Sequence, residues 1–245
     1  MFNQEENKFN TLNTTIGDGS ISSTRTFISG VFAWMFLALS VTAITAYVFA
    51  SNGDLMRLLV NESGRGMSTL GYIVTFAPLG FVLLMGMGFA RFSASLITFL
   101  FAIFAVLMGM SLSFIFLAYT LGSIYITFAI AAGMFGIMAV TGYTTNTDLT
   151  KFGSLMIMGL VGIIIASIVN MFMRSGTMEY IISFIGVLVF TGLTAYDVQK
   201  LKRIGEGAVY GAESTKKLMI MGALTLYLDF INLFLFLLRF LGNRK

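Results

Sequence analysis

The chain has 245 residues, of which 57% are hydrophobic and only 11% charged, and its formal net charge is +4. Because a soluble domain carries about 25% charged residues, this sequence has too little polar surface to face water on all sides, which predicts a membrane protein. It contains no cysteine and no histidine, which excludes disulfides, Cys or His nucleophiles, and zinc or haem ligation through those residues.

The N-terminal segment, residues 1–26, is polar and rich in Asn, Thr and Ser. It lacks the apolar stretch of a signal peptide, and its composition predicts a disordered tail. We expect the first apolar span that follows to act as a signal-anchor. The rest of the chain, residues 27–245, is predicted to form one transmembrane domain.

Seven apolar runs in that domain are long enough to cross a bilayer, which takes about 20 residues. They fall at 27–50, 71–90, 95–118, 123–145, 153–173, 180–200 and 216–241. The breaks between them are mostly short and polar or basic, with no domain linker. The predicted fold class is therefore an all-α integral membrane protein with seven transmembrane helices. Small-residue spacings such as Ala129/Gly133 and Gly109/Ser113 predict close helix packing.

The basic residues indicate topology. They lie at helix ends and in loops without interleaved aromatics, so no nucleic-acid partner is expected. With the N-terminus in the cytoplasm, nine of the fifteen Lys and Arg residues fall on the cytoplasmic side, which favours this orientation. The expected location is a bacterial inner membrane, which the lack of a targeting segment suits. The basic C-terminal residues argue mildly the other way, so an even number of spans or a re-entrant last segment remains an alternative.

Two acids lie inside apolar spans. Asp197 is near the end of the sixth and Asp229 is well within the seventh, whereas the other nine acids fall in tails and loops. An Asp near the centre of a spanning helix costs about 2.5–3.5 kcal/mol on the lenient insertion scale. Such a residue needs a partner, a wet cavity or a proton, and this makes the two aspartates the candidate functional site.

The depth of the two aspartates decides whether they can meet. Counted from Glu179, Asp197 lies about 27 Å into the membrane at 1.5 Å per residue. Asp229 lies about 15 Å from Arg239, or about 20 Å if the last helix continues to Gly242. Pairing is therefore expected only if the last helix runs past Arg239, with Gly242 as its C-cap.

A pair of carboxyl groups in a poorly hydrated site cannot cheaply ionise twice, so the two groups share one proton. Once deprotonated, they offer the hard oxygen ligands that calcium prefers. Arg91, which ends the second span on the same side as Asp197, is a candidate third member that would hold an ionised Asp. The alternative is that Arg91 is a helix-end residue that sets topology.

The sequence resembles the Bax inhibitor-1 (transmembrane BAX inhibitor motif) family, as a bacterial member. The resemblance covers residues 27–242 and rests on two segments around the aspartates. The first is Thr194-Ala195-Tyr196-Asp197-Val198-Gln199-Lys200-Leu201-Lys202, and the second is Leu224-Thr225-Leu226-Tyr227-Leu228-Asp229-Phe230-Ile231-Asn232-Leu233-Phe234.

The resemblance implies a fold of six helices packed around a central C-terminal seventh, and a pH-sensitive calcium-leak channel. Family members carry paired aspartates on the last two helices, which Asp197 and Asp229 match, and an arginine latch, which Arg91 matches by position. Some bacterial members also restrain a membrane-bound quality-control protease. The expected partners are therefore the lipid bilayer, calcium and protons, and such a protease, with no cofactor other than the calcium itself.

Two other functions remain open. The chain could regulate a membrane-bound protease without transporting anything, or it could be an intramembrane aspartyl protease, which also needs two aspartates. The protease alternative is weakened because Asp229 follows Leu226-Tyr227-Leu228 and not a glycine-rich motif. We therefore expect the protein not to be an enzyme. The candidate pore or supporting residues are Asn232, Tyr196, Tyr227 and Arg239.

Overall fold

The structure is a computed structural model that describes the backbone of residues 2–61, 66–207 and 212–245, with side chains from residue 23 onward in those ranges. These residues form helices joined by short turns. The helices are α1 (Phe2–Ser51), α2 (Gly53–Leu59), α3 (Thr69–Gly88), α4 (Ala94–Leu112), α5 (Ile115–Ala118), α6 (Leu121–Thr144), α7 (Thr150–Met173), α8 (Gly176–Glu206) and α9 (Glu213–Leu241).

Seven of these helical segments within the described residues are long and apolar enough to cross a membrane, which confirms the predicted fold class. They are Ser23–Ser51, Thr69–Gly88, Ala94–Ala118, Leu121–Thr144, Thr150–Met173, Gly176–Glu206 and Glu213–Leu241. The backbone of α1 is helical from Phe2, including the polar segment expected to be a disordered tail. The division into a tail and a transmembrane domain at residue 26 stays a prediction, because side chains are described only from Ser23.

The helix boundaries follow from capping residues in the polar breaks. Ser68, Ser93, Thr120 and Ser175 each precede a helix and accept a hydrogen bond from a backbone N–H in its first turn. Such caps satisfy donors that have no partner within the helix. At the other end of the chain α9 runs past Arg239 and ends at the C-cap Gly242, as the depth argument required.

The last helix is at the centre of the bundle. In the most apolar 18-residue stretch of α9, 72% of the residues are buried, against 11–33% in the corresponding stretches of the first five spans. It packs against α1, α4, α6 and α8, which confirms the expected central seventh helix. Helix α8 also contributes to the centre of the bundle, because 61% of the residues in its corresponding stretch are buried. The two helices that carry the aspartates are therefore the two most protected from lipid.

Helices α8 and α9 run antiparallel in one register that is fixed by side chains along their length. The rings of Tyr180 and Phe240 lie 4.6 Å apart between centroids, the Phe236 ring lies against Gly186, and Leu201 lies against Gly222. The closer a residue lies to the start of α9, the closer its partner lies to the end of α8. The same register places Asp197 of α8 beside Asp229 of α9.

Small residues mediate close helix contacts at some of the predicted positions and not at others. Gly109 of α4 faces Thr42 and Thr45 of α1, where an added methyl group would lie 2.6–2.7 Å from α1 atoms. Ala129 and Gly133 of α6 are exposed, and nothing lies within 4 Å of a methyl group placed on Gly133. The close packing predicted there is absent among the described residues, because that face of α6 points away from the bundle.

Candidate functional site

The two aspartates meet in the interior of the bundle. Asp229 is only 5% exposed, Asp197 is half-buried, and their carboxyl groups are close enough to interact directly. Asp229 Oδ2 is buried without a hydrogen-bond partner in the described part of the chain. Since an ionised carboxylate can only accept hydrogen bonds, a bond between the two groups requires a proton on one of them.

Two glycines fix the segment of α8 that precedes Asp197. Gly142 of α6 lies against the backbone of Ala195, and Gly153 of α7 lies against the ring of Tyr196. In both places the absence of a Cβ lets the neighbouring helix approach α8 closely. The position of Asp197 is thus determined by α6, α7 and α9 together.

A buried hydrogen-bond chain anchors α9 near Asp229. The Tyr227 hydroxyl lies 2.8 Å from Thr42 Oγ1, and Thr42 Oγ1 donates to the Ala105 carbonyl at 2.8 Å. Because the Thr42 proton is used in that second bond, Tyr227 is the donor in the first. The chain ties α9 to α1 and α4 two residues before Asp229, so the candidate support role of Tyr227 has a physical basis.

Arg91 is not brought to the pair. It is exposed, in the turn between α3 and α4, and it forms no salt bridge among the described residues. The turn is attached instead to the first turns of α9. There Glu213 Oε1 accepts from the Ala94 N–H at 3.1 Å, and Lys217 Nζ lies 3.5 Å from the Phe89 carbonyl oxygen.

The attachment of this turn also shows how far Arg91 is from the site. Lys217 precedes Asp229 by twelve residues, which is about 18 Å along the helix. The nearer positive charge is Lys200, one turn after Asp197 on α8, whose ammonium attracts the Asp197 carboxylate. Lys200 is not among the site residues predicted from the sequence, although its spacing of three residues from Asp197 on one helix favours such an interaction.

The other candidate residues have different surroundings. Asn232 is half-buried one turn after Asp229. Tyr196 is half-buried with its ring on Gly153. Arg239 is exposed, with its guanidinium carbon 5.6 Å from the centroid of the Phe236 ring. Asn232, Tyr227 and Tyr196 thus lie within one turn of an aspartate, whereas Arg239 lies ten residues after Asp229 on α9. The role of Asn232 as a pore residue stays a prediction.

A polar clamp holds the loop between α6 and α7 to the end of α8. Gln199 accepts from the Leu149 N–H at 2.9 Å and donates to the Thr147 carbonyl at 2.8 Å. Arg203 donates to Asp148 at 2.7 Å. The sequence assigned Asp148 to a solvated loop. The contact was not foreseen, although Gln199 and Arg203 lie four residues apart and thus on one face of α8.

Asp148→Asn is expected to lower the thermal stability slightly at neutral pH. Hydrogen bonds from the Thr150 side chain, and then from Arg203, hold the pKa of this exposed carboxyl well below its usual range. A carboxyl whose folded-state pKa is lowered stabilises the fold above its unfolded pKa, and this contribution is lost as the pH falls. The difference in melting temperature between variant and wild type should therefore disappear in acid.

Asp54→Asn is the matched control for that comparison. Asp54 is exposed on α2, where its partner Arg57 is equally exposed at 3.5 Å. Exposed pairs of this kind contribute little, so the control should melt with the wild type at every pH. A constant difference in melting temperature between Asp148→Asn and wild type across the pH range would show that the hydrogen bonds from Thr150 and Arg203 to the Asp148 carboxylate are not responsible.

The site can offer a cation two carboxylates. Within the described ranges no cluster of three or more acidic side chains could hold a metal ion. Calcium takes six to eight oxygen ligands in its tight sites. Two carboxylates, with waters and carbonyls completing the shell, therefore suit a passing ion better than a resident one.

Comparison with known proteins places the whole transmembrane part of the chain in one group. The family model described as "Inhibitor of apoptosis-promoting Bax1" matches residues 24–245. The chain is 43% identical over 222 residues to the inner membrane protein YbhL of Escherichia coli (strain K12), covering 90% of this chain and 93% of the relative. It is 45% identical over 219 residues to an uncharacterised protein of Borreliella burgdorferi, covering 89% and 92% of the two chains.

Proposed function

Because the chain belongs to the Bax inhibitor-1 family, we propose that it is a pH-sensitive calcium-leak channel in which Asp197 and Asp229 form the gate. The observation that carries the proposal is Asp229 itself. It is buried in the central helix of a membrane protein beside a second carboxyl group, and its Oδ2 has no hydrogen-bond partner among the described residues. A fold seldom keeps so costly a group without a function.

The pair supplies a switch because protons and calcium compete for the same oxygens. With one shared proton, a hydrogen bond joins the two carboxyl groups and the pair carries a single negative charge. When that proton leaves, two negative charges meet in a poorly hydrated site, and a divalent cation neutralises them. The pair therefore binds calcium more strongly as the pH rises and releases it on protonation, which couples passage of the ion to pH.

Arg91 has a conditional role in this proposal. Arg91 is exposed and forms no salt bridge with any residue that the structure describes, so the proposed latch requires a different arrangement of this turn. An arginine can hold an ionised carboxylate through two parallel hydrogen bonds. Arg91 can act on Asp197 only if the turn between α3 and α4 leaves its contacts with Glu213 and Lys217.

We place the protein in the bacterial inner membrane with its N-terminus in the cytoplasm. YbhL, the E. coli relative, is an inner membrane protein by name, and the distribution of Lys and Arg favours this orientation. Asp197 then lies toward the cytoplasmic end of α8, on the side that carries Lys200 and the polar clamp. We assign the pair a role in ion binding and none in catalysis.

The proposal is tested by calcium flux in liposomes. Purified protein reconstituted with an internal calcium indicator should pass calcium at a rate that depends on pH and exceeds that of protein-free liposomes. Flux equal to that of empty liposomes at every pH would remove the channel and favour a regulator of a membrane-bound protease. Peptide cleavage that depended on both aspartates would instead favour the intramembrane protease.

A further inference from the structure

A deep apolar groove opens toward the lipid between α1 and α6. Its volume is 460 Å³, and the walls come from α1, the α4–α5 segment, α6 and α9. We call it the α1–α6 groove, and its defining residues are Leu39, Ala43, Tyr47, Tyr125, Phe128 and Phe234. The groove exists because α1 and α6 both pack on α9 while making little contact with each other.

The lining of the groove selects an apolar occupant. Apart from the tyrosines at its mouth, Thr42 is the one polar side chain among the described residues that line the groove, and the Thr42 hydroxyl is already bonded to both Tyr227 and the Ala105 carbonyl. An ordered water needs two to four polar partners, and the walls offer none that is free. The occupant must therefore be a hydrocarbon, which a bilayer supplies as lipid acyl chains.

The dimensions and position of the groove suit one acyl chain. It extends along α1 from Leu39 to Tyr47, which is about 12 Å at 1.5 Å per residue. These residues lie within the spanning segment Ser23–Ser51. Tyr47 of α1 and Tyr125 of α6 both line the groove and are 56% and 61% exposed, as expected of aromatic residues near the edge of the hydrocarbon region.

A positive charge lies at the end of the groove where α9 terminates. Lys245 Nζ donates to the carbonyl of Phe116 at 2.7 Å, and Phe116 is one of the lining residues. No carboxylate pairs with Lys245 in the part of the chain that the structure describes. The nearby Glu179 is engaged by Arg244. The ammonium is thus available to an anionic headgroup.

We propose that the α1–α6 groove binds one acyl chain of an anionic phospholipid, whose phosphate interacts with Lys245. The apolar groove holds the chain, and the charge at its end selects the headgroup. The lipid fills the gap that the helices leave between α1 and α6. This site is separate from the aspartate pair and does not depend on the proposed channel activity.

Photolabelling maps the occupant in the wild-type protein. Protein in vesicles containing a phosphatidylglycerol with a diazirine on its acyl chain should be labelled mainly at groove residues such as Ala43 and Phe128. Labelling spread evenly over all lipid-facing residues would overturn the proposal. So would cross-links from these residues to a second copy of the chain, because they would identify a protein occupant.

Filling the groove provides a second test. Ala43→Phe should reduce labelling of the remaining groove residues at least several-fold, whereas Ala129→Phe, on the exposed outer face of α6, should leave it unchanged. Equal labelling of the two variants, both folded by circular dichroism, would contradict the proposed site. The labelling pattern of the wild-type protein tests the proposal by itself, so the proposal remains testable even if Ala43→Phe does not fold.

The headgroup is tested by removing the charge. Lys245→Gln should abolish the preference for labelled phosphatidylglycerol over labelled phosphatidylcholine, while Lys151→Gln, at the opposite end of the bundle, should retain it. A wild-type protein with no preference between the two lipids, or a preference that survives Lys245→Gln, would refute the role of Lys245.

Discussion

Asp229→Asn is expected to flatten the dependence of calcium flux on pH in reconstituted liposomes. In the wild type, one proton and one calcium ion compete for the pair, which changes the apparent calcium affinity by up to about tenfold per pH unit. An asparagine amide can donate to the Asp197 carboxylate at any pH. The variant therefore needs no shared proton, and its flux should be the same in acid and in mild alkali.

The matched control is Asp54→Asn, which removes an exposed carboxylate on α2. Its flux should follow the wild-type profile in shape and magnitude. Asn has nearly the same size as Asp, so Asp229→Asn should keep the packing of α9. A lost pH response in this variant would therefore reflect loss of the carboxyl group and not unfolding. If Asp229→Asn and wild type gave superimposable profiles, Asp229 would not be the pH sensor.

Gly142→Ala is expected to destabilise the bundle and displace Asp197. A Cβ at Gly142 would overlap the backbone oxygen of Ala195, and backbone yields much less easily than the end of a flexible side chain. Overpacking of this kind typically costs about 1–3 kcal/mol, and we expect the upper part of that range. The measurements are the melting temperature in detergent and the calcium flux, both of which should fall.

Gly136→Ala is the control on the same helix. Nothing lies within 4 Å of a methyl group placed there, so this variant should be at least as stable as the wild type, because alanine is favoured over glycine inside a helix by about 1 kcal/mol. Because no neighbouring atom has to move, the flux should not change. Equal melting temperatures for the two variants would mean that α6 and α8 are not packed as closely as described.

The spans and the existence of the aspartate site could be predicted from the sequence because both depend on local properties. Twenty apolar residues signal a helix wherever it sits, and an acid within them is costly whatever its neighbours are. The depth estimate also identified the right condition, since α9 does continue to Leu241. It underestimated how well the aspartates align, because it measured from helix ends. The register is set by contacts such as Phe236 on Gly186.

The lateral arrangement of the helices could not be predicted in this way. Hydropathy placed Arg91 at the correct end of the bundle, but not in the turn that Glu213 and Lys217 hold to α9. The contact of Asp148 with Arg203 joins residues 55 positions apart, and neither stands out in its own segment. The α1–α6 groove likewise depends on two helices that are distant in sequence and share α9 as a neighbour.

The proposed exchange replaces the one proton shared by Asp197 and Asp229 with calcium. Its most direct test is the number of protons released when calcium is added to purified protein in a weakly buffered detergent solution with a pH indicator. The wild type should release about one proton per calcium bound, and the Asp197→Asn/Asp229→Asn double variant should release none. Calcium binding to the wild type without proton release, or equal release from the double variant, would contradict this exchange of a proton for calcium.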